Sequence, residues 1–322
     1  MKHQKIFREI TKDLKKVEKE LTSFLLVEEP ILSQTCVYSL QAGGKRMRPG
    51  FILLAGKFFE YEFEKLLPVA MAIELIHMAT LVHDDVVDAS LTRRGRPTVA
   101  VTWGNTVSIA TGDFLMAKSL ELISKIDNPE VSKMLANVSV EMCQGEIQQI
   151  KCSYDVKQDF KQYYYRIRRK TALLIGLSCK LGAMVSNASK RNVWIIGTYG
   201  YCLGIAFQIV DDILDITADP KVLGKPVGGD IRQGIMTLPM ISAIKNLENP
   251  ERLKEILSQE EKSDQEVAEA IELIKISGGI EESRTMVSRY IKKSIKYLDE
   301  LPEVPTKNAL YELANFVGER SY

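Results

Sequence analysis

The sequence predicts an all-α fold, a helical bundle around a deep central cavity. Apolar residues recur at three- and four-residue spacing through most of the 322 positions, and no run alternates with the two-residue period of a strand. Prolines fall mostly between these runs or at their starts, where a missing N–H costs least. The 45% hydrophobic content supports a sizeable core, and no Gly/Ser-rich linker or low-complexity block divides the chain. Residues 1–322 therefore read as a single helical domain.

The elements follow in order. Residues 4–27 intersperse charges with Ile6, Ile10, Leu14, Val17 and Leu21, an amphipathic helix without the apolar block of a signal peptide. Helices are predicted next at 31–41, 50–60 and 66–89, with Pro30 and Pro68 at or near their starts. Further helices are predicted at 104–126, 129–151, 157–187 with a break inside it, and 191–217; Pro220 and Pro226 mark the loop after the last. The chain closes with helices at 236–247, 251–276, 279–300 and 306–318. Segments 66–89, 104–126, 129–151, 170–187 and 191–217 are apolar around much of their circumference, which marks buried helices able to surround a cavity. No stretch approaches a charge-free span of about 20 residues, so no transmembrane helix is expected. Five cysteines, an odd number without C-x-x-C spacing, read as reduced thiols of a cytoplasmic protein. A net charge of +1 excludes a broad field for nucleic acid or an anionic membrane, so any anionic substrate must be held by local sites.

One local pattern occurs twice. Asp84-Asp85-Val86-Val87-Asp88 and Asp211-Asp212-Ile213-Leu214-Asp215 lie 127 positions apart, each emerging from an apolar helical run. At about 100° per residue the three carboxylates of each motif fall within roughly a 100° arc, so they repel one another unless a cation binds. Hard oxygen ligands suit Mg²⁺, which completes its shell with water and substrate phosphates. Two such clusters facing one cavity would hold a diphosphate through bridging metals. Taken singly, a D-D-x-x-D is equally well a solvated helix face.

Basic motifs accompany the acidic ones. Arg93-Arg94-Gly95-Arg96-Pro97-Thr98 follows the first, and Gly43-Gly44-Lys45-Arg46-Met47-Arg48-Pro49 precedes it. Arginine's planar fork matches phosphate oxygens, and paired glycines let the backbone approach closely. Alone, each would be an ordinary basic turn. Ionising an allylic diphosphate clamped by metals on the aspartates needs preorganised charge and no protein nucleophile. A second, alkene-bearing diphosphate would need its own cationic pocket.

These motifs, with a second D-D-x-x-D followed by Gly224-Lys225-Pro226 and Gly228-Gly229-Asp230, occur in the order found in the trans-isoprenyl diphosphate synthases, and the chain resembles that family from about Gln41 to Pro239. The resemblance implies that Lys45, Arg48, His77 and Arg94 bind isopentenyl diphosphate and that Arg93, Lys170 and Lys225 hold the allylic diphosphate. It implies that Thr171 and Gln208 line the developing cation. Asp84, Asp85, Asp88, Asp211 and Asp212 would ligate Mg²⁺, as three ions bridged by substrate diphosphate, with Asp215 completing the catalytic set. Ile76, Ala79 and Thr80 share the helix flank below Asp84, where product length would be set, and Ala79 is small where short-chain relatives tend to carry aromatics.

Within the family the closest resemblance is to the large catalytic subunit of heteromeric heptaprenyl or hexaprenyl diphosphate synthases. That implies C30–C35 all-trans products made from isopentenyl diphosphate and farnesyl diphosphate for the menaquinone side chain. It also implies a smaller, non-identical partner subunit, with a homodimer as the alternative. One departure is Ile235, where many single-chain relatives have a lysine. A terpene cyclase would ionise the same substrates but usually replaces the second D-D-x-x-D and needs no isopentenyl pocket. A non-catalytic regulatory subunit would show degenerate acidic motifs, whereas all six aspartates are present. His77 on an apolar helix also fits a core histidine, and His83-Asp84 invites a metal phosphohydrolase, though only three histidines exist. Tyr163, Tyr164 and Tyr165 read as packing.

Overall fold

The computed structural model describes residues 7–218 and 227–319. Among these the chain is helical almost throughout. Helices α1 (Thr11–Leu25), α2 (Pro30–Gln41), α3 (Met47–Gly56) and α4 (Phe63–Val87) precede a two-stranded antiparallel hairpin, β1 (Thr92–Arg93) and β2 (Arg96–Pro97). After it come α5 (Val99–Trp103), α6 (Asn105–Ile123), α7 (Pro129–Lys151) and α8 (Phe160–Ile167). A π turn at Arg168–Ala172 joins α8 to α9 (Leu173–Val185). Then follow α10 (Lys190–Thr217), α11 (Gly229–Arg232), α12 (Leu238–Asn246), α13 (Glu251–Ser258), α14 (Asp264–Ile276), α15 (Gly279–Asp299) and α16 (Pro305–Gly318).

The chain gathers into two compact units. The first comprises Met1–Asn137, Leu177–Gly197 and Glu300–Glu312. Here α1 buries Val17, Leu21 and Leu25 at four-residue spacing, the single stripe of an amphipathic helix. In α4, by contrast, every residue from Val69 to Ile76 is buried, so this helix is covered on all sides, chiefly by α6 and α3. The one charge in that run, Glu74, is paired with the Arg46 guanidinium at 3.1 Å, because a buried carboxylate without a partner would cost several kcal/mol.

The second unit comprises Val138–Gly176, Thr198–Asp299 and Leu313–Tyr322. Asp159 and Gln162 form a capping box that starts α8, which turns Tyr163, Arg166 and Ile167 inward. Two glycines set where the π turn lies. A side chain on Gly204 would stand 2.7 Å from the Ala172 Cα, and one on Gly145 would stand 2.8 Å from the Arg169 Cβ. Only glycine at both positions lets α7 and α10 close on this turn from within the unit. Further along, α12 packs on α15.

The helical expectation holds, with specific corrections. The predicted helix 251–276 is two helices, because Ser263 and Glu266 make a capping box that starts α14 afresh. Pro68 lies inside α4, which begins five residues earlier than Pro68, rather than at its start. The hairpin at 92–97 and α5 were not anticipated, being too short to show periodicity. The break foreseen within 157–187 is the π turn. Helices Phe63–Val87 and Lys190–Thr217 are, by length and composition, apolar enough to cross a membrane, contrary to the expectation that no stretch would be. In each, 67% of the apolar window is buried in the fold, as in core helices.

Candidate active site

In the first unit the loop before α3 is built around Arg46. Its backbone is left-handed (φ 44°), and its guanidinium bonds to Glu18 at 3.0 Å, Glu74 at 3.1 Å and the Leu40 carbonyl at 2.7 Å. Arg46 is thereby spent on structure; beside it Lys45 is exposed, and Arg48 has an Nε–H that is buried without a hydrogen-bond partner. Such a donor is able to take an anion's oxygen. The Arg94 guanidinium lies over Gly44, 2.6 Å from where a Cβ would be, so Gly44 is what brings the two basic motifs together.

Between them lies a pocket lined by Tyr38, Glu74, His77, Asp85, Arg93 and Arg94 among others. His77 is held well below its ordinary pKa, first by burial and then by Arg48, Arg94, Arg93 and Arg46. It is therefore neutral, able to donate from one ring nitrogen and accept at the other. Burial also pushes Arg48 down to about 10, with Glu74 opposing that shift and Arg94 adding to it. The pocket holds about 30 Å³, room for a water or two and too little for a five-carbon diphosphate.

What fills it is partly Arg93. From β1 its Nε and Nη2 reach Asp85 Oδ1 at 2.9 and 2.5 Å. Burial raises the Asp85 pKa while the Arg93 contact opposes the rise. Asp84 and Asp88, on the last turn and C-cap of α4, stay half-exposed. His83, by contrast, turns its Nε2 toward the Ile109 carbonyl and the Asp113 carboxylate of α6, each at 3.3 Å. It serves helix packing, which removes the basis of a His-Asp phosphohydrolase reading.

The second unit assembles the other predicted residues on the π turn and α10. All four cations from 166 to 170 have local partners. Arg166 donates to the Met236 carbonyl and to Gln158, while Arg168 and Arg169 pair with Glu141 at 3.3 and 2.7 Å. Lys170 sits 3.0 Å from Glu146. The extra residue of the π turn aims Thr171 at α10, where its hydroxyl donates to Gln208 Oε1 at 2.6 Å. Gln208 Nε2 in turn donates to Asp212 Oδ1 at 2.9 Å, and Tyr163 donates to Asp212 Oδ2 at 2.6 Å. Burial, with a smaller contribution from Asp211, pushes Asp212 up to about 6 against the lowering effect of the Tyr163 and Gln208 bonds and of Arg166.

The six aspartates are not equivalent. Asp211 is half-exposed, but Asp215 is 6% exposed and its Oδ2 accepts the Asp230 N–H at 3.0 Å, fastening the start of α11. Lys225 lies outside the described residues. Ile235 is half-buried, its N–H bonded to the Asp230 carbonyl at 2.9 Å, so its segment is held by backbone and by Arg166 without a cation at that position. Of the three flank residues, Ala79 is fully buried and Ile76 is 2% exposed, which leaves no passage beside them in this structure. Thr80 alone reaches open space, its hydroxyl bonded back to the His77 carbonyl. Tyr163, read from sequence as packing, was missed. A tyrosine seven residues before a lysine-threonine pair carries no periodicity signal that separates a buried phenol from a buried ring.

Among the described residues no three carboxylate, histidine or cysteine side chains converge into a closed metal cage. A cage-bound ion such as structural zinc does not fit that arrangement. The half-exposed carboxylates of Asp84 and Asp88 in the first unit, and separately of Asp211 in the second, are the all-oxygen kind of donor that suits Mg²⁺, which binds through one or two carboxylates, keeps waters and completes its shell with phosphate oxygens.

Comparison with known proteins agrees with this chemistry. The sequence model of the family described as Polyprenyl synthetase matches residues 29–274. The chain is 43% identical to "Heptaprenyl diphosphate synthase component 2" of Geobacillus stearothermophilus over all of both chains. It superposes on heptaprenyl diphosphate synthase from Staphylococcus aureus with a TM-score of 0.92 at 37% identity, covering 97% of this chain and 98% of that one. A polyprenyl synthase from Caulobacter crescentus CB15, complexed with calcium and isoprenyl diphosphate, superposes with a TM-score of 0.94 at 31% identity, covering 99% and 98%. The all-α architecture, the paired aspartate motifs and the cationic pocket thus have one common explanation: the chain belongs to the polyprenyl synthetase family.

Proposed function

We propose that this chain is a Mg²⁺-dependent trans-polyprenyl diphosphate synthase that adds isopentenyl diphosphate repeatedly to an allylic primer such as farnesyl diphosphate. The observation that carries the reading is the first-unit pocket, where neutral His77 stands among Arg48, Arg93 and Arg94 beside Asp85. Once Arg93 leaves it, a pocket of that composition would take a diphosphate through the guanidinium forks, with the imidazole free to hydrogen-bond without competing as a cation. Lys45, Arg48, His77 and Arg94 would hold isopentenyl diphosphate. Arg93, Lys170 and Lys225 would hold the allylic diphosphate, which requires Arg93 and Lys170 to leave Asp85 and Glu146.

Asp84, Asp85, Asp88, Asp211 and Asp212 would hold Mg²⁺. The bound metal supplies Lewis-acid withdrawal of charge from the leaving diphosphate. As the allylic C–O bond breaks, Gln208 and Thr171 present oxygen dipoles to the developing cation. Arg48 and Arg94 would keep the isopentenyl double bond in register to form a C–C bond to that cation, and the new carbocation then loses a proton to the released diphosphate. Asp215 acts by anchoring α11.

The relatives' names, heptaprenyl diphosphate synthase and its component 2, support a product at the long end of C30–C35 and an enzyme of more than one component. On this reading the chain is the catalytic component, its partner is a smaller, non-identical subunit with a homodimer as the alternative, and the product serves menaquinone side-chain synthesis. The matched family model runs through residues of both units, which supports one catalytic domain. Five free cysteines support a cytoplasmic location. The test is turnover of labelled isopentenyl diphosphate with farnesyl diphosphate and Mg²⁺, with and without lysate of the native host. Polyprenyl diphosphate that disappears on chelation is the expected result; product formed at full rate in excess chelator refutes the metal assignment.

A further inference from the structure

We propose that Tyr163 is a positioning residue for the second aspartate cluster, its buried phenol holding the Asp212 carboxylate in the orientation in which it ligates metal. This rests on the reading of Asp212 as a metal ligand. Tyr163 is 0% exposed, and its hydroxyl donates to Asp212 Oδ2 at 2.6 Å. The other carboxylate oxygen accepts from Gln208 at 2.9 Å, and Gln208 is itself fixed by Thr171 at 2.6 Å. Both oxygens of one carboxylate are therefore gripped by neutral donors, and its side-chain torsions are set from two elements, α8 and α10.

The choice of donors is informative. In the first cluster the buried aspartate, Asp85, is paired with Arg93, an ion pair that cancels its charge. At Asp212, 4% exposed, the two side chains that grip its carboxylate are uncharged, and the nearby Arg166 is turned to Gln158 and the Met236 carbonyl. Neutral donors orient a carboxylate and leave its charge for a cation, and each oxygen keeps a lone pair after accepting one bond. For packing alone, a phenylalanine at 163 and an apolar residue at 212 would serve, without the cost of burying a charge.

The test is Mn²⁺ binding to the full chain, followed by electron paramagnetic resonance of the free ion, in the parent, Tyr163→Phe and Tyr164→Phe. Tyr164 is the control because its hydroxyl bonds to Tyr201 at 2.7 Å. Loss of an outer partner of a ligand typically weakens metal binding by about 10- to 100-fold. Tyr163→Phe should show that loss and raise the Mg²⁺ concentration for half-maximal turnover by the same factor. Its kcat at saturating metal should stay within a few-fold of the parent, and Tyr164→Phe should bind Mn²⁺ as the parent does. Should Tyr163→Phe fail to fold, Tyr163→Met removes the same donor with a more adaptable side chain and should give the same shift. Parent-like Mn²⁺ affinity in either folded variant overturns the role of Tyr163 while the metal reading stands. A parent that binds no Mn²⁺ overturns both.

Discussion

At the scale of single residues, neighbours on the chain are assigned to different partners, and this can be measured. Arg93 reaches Asp85, whereas Arg94, with a left-handed backbone (φ 54°), lays its guanidinium over Gly44 toward Arg48 and His77. Losing a charge-assisted contact costs about 1.5–3 kcal/mol, roughly a tenfold to hundredfold effect. Arg94→Ala should therefore chiefly raise the KM for isopentenyl diphosphate, and Arg93→Ala chiefly impair use of the allylic substrate; identical profiles in steady-state kinetics would refute the division. Asp212 makes a second residue-scale prediction. Burial lifts its pKa from 3.8 to about 6, so the folded metal-free chain binds this proton more tightly than the unfolded chain does. Its contribution to stability is fully present below pH 3.8 and is lost as pH rises through about 6. In excess chelator, Asp212→Asn should melt above the parent at pH 7, by the equivalent of up to about 3 kcal/mol, with the gap closing toward pH 4. A variant that melts lower at pH 7 would show that the charge is compensated.

At the scale of elements, the functional groups sit where helices end or change pitch. The first aspartate cluster occupies the C-terminus of α4, the arginines its following hairpin, and Lys170 and Thr171 a π turn held between Gly145 and Gly204. Helix α4 also poses the question of product length. Ala79 and Ile76 are sealed within the first unit, and Thr80, one residue on, is the flank position with open space. Thr80→Tyr should shorten the product toward C15–C20 with little loss of stability, read by chromatography of the dephosphorylated chains. Ala79→Tyr must first overpack a closed site, at a typical cost of about 1–3 kcal/mol. If it folds, and a passage opens when substrate binds, it too should give short products. Full-length product from both folded variants would remove this flank from the length-setting machinery.

At the scale of the molecule, much of the architecture was legible because it is written in period, and the candidate site was proposed from charge. Helical spacing announced α4 and α10, and the two D-D-x-x-D patterns with their basic neighbours announced a diphosphate site. What periodicity does not encode went unread: a two-residue strand pair, a fresh helix start at Ser263, the hydroxyl of Tyr163, and the division of labour in which Arg46 and Asp215 fasten structure while Arg48 keeps an unsatisfied donor. Those depend on where side chains end, which follows from tertiary packing. The same limit applies to partners. In the second unit Val140, Ile147 and Ile150 are each about half-exposed and fall within roughly an 80° arc of α7, an apolar stripe that a water-facing helix does not need. A growing polyprenyl chain adds its own exposed area, at roughly 0.8 kcal/mol per CH₂ left in water. Both are the features of a chain that works with a second polypeptide, which the proposed reading takes to be a smaller, non-identical subunit. The purified chain should then turn over slowly with farnesyl diphosphate, isopentenyl diphosphate and Mg²⁺, and adding the smaller subunit should restore both rate and C30–C35 length. Charged substitution at Ile147 should abolish that rescue if the stripe carries the contact. Full-rate synthesis of a C30–C35 product by the chain alone would refute the need for a partner.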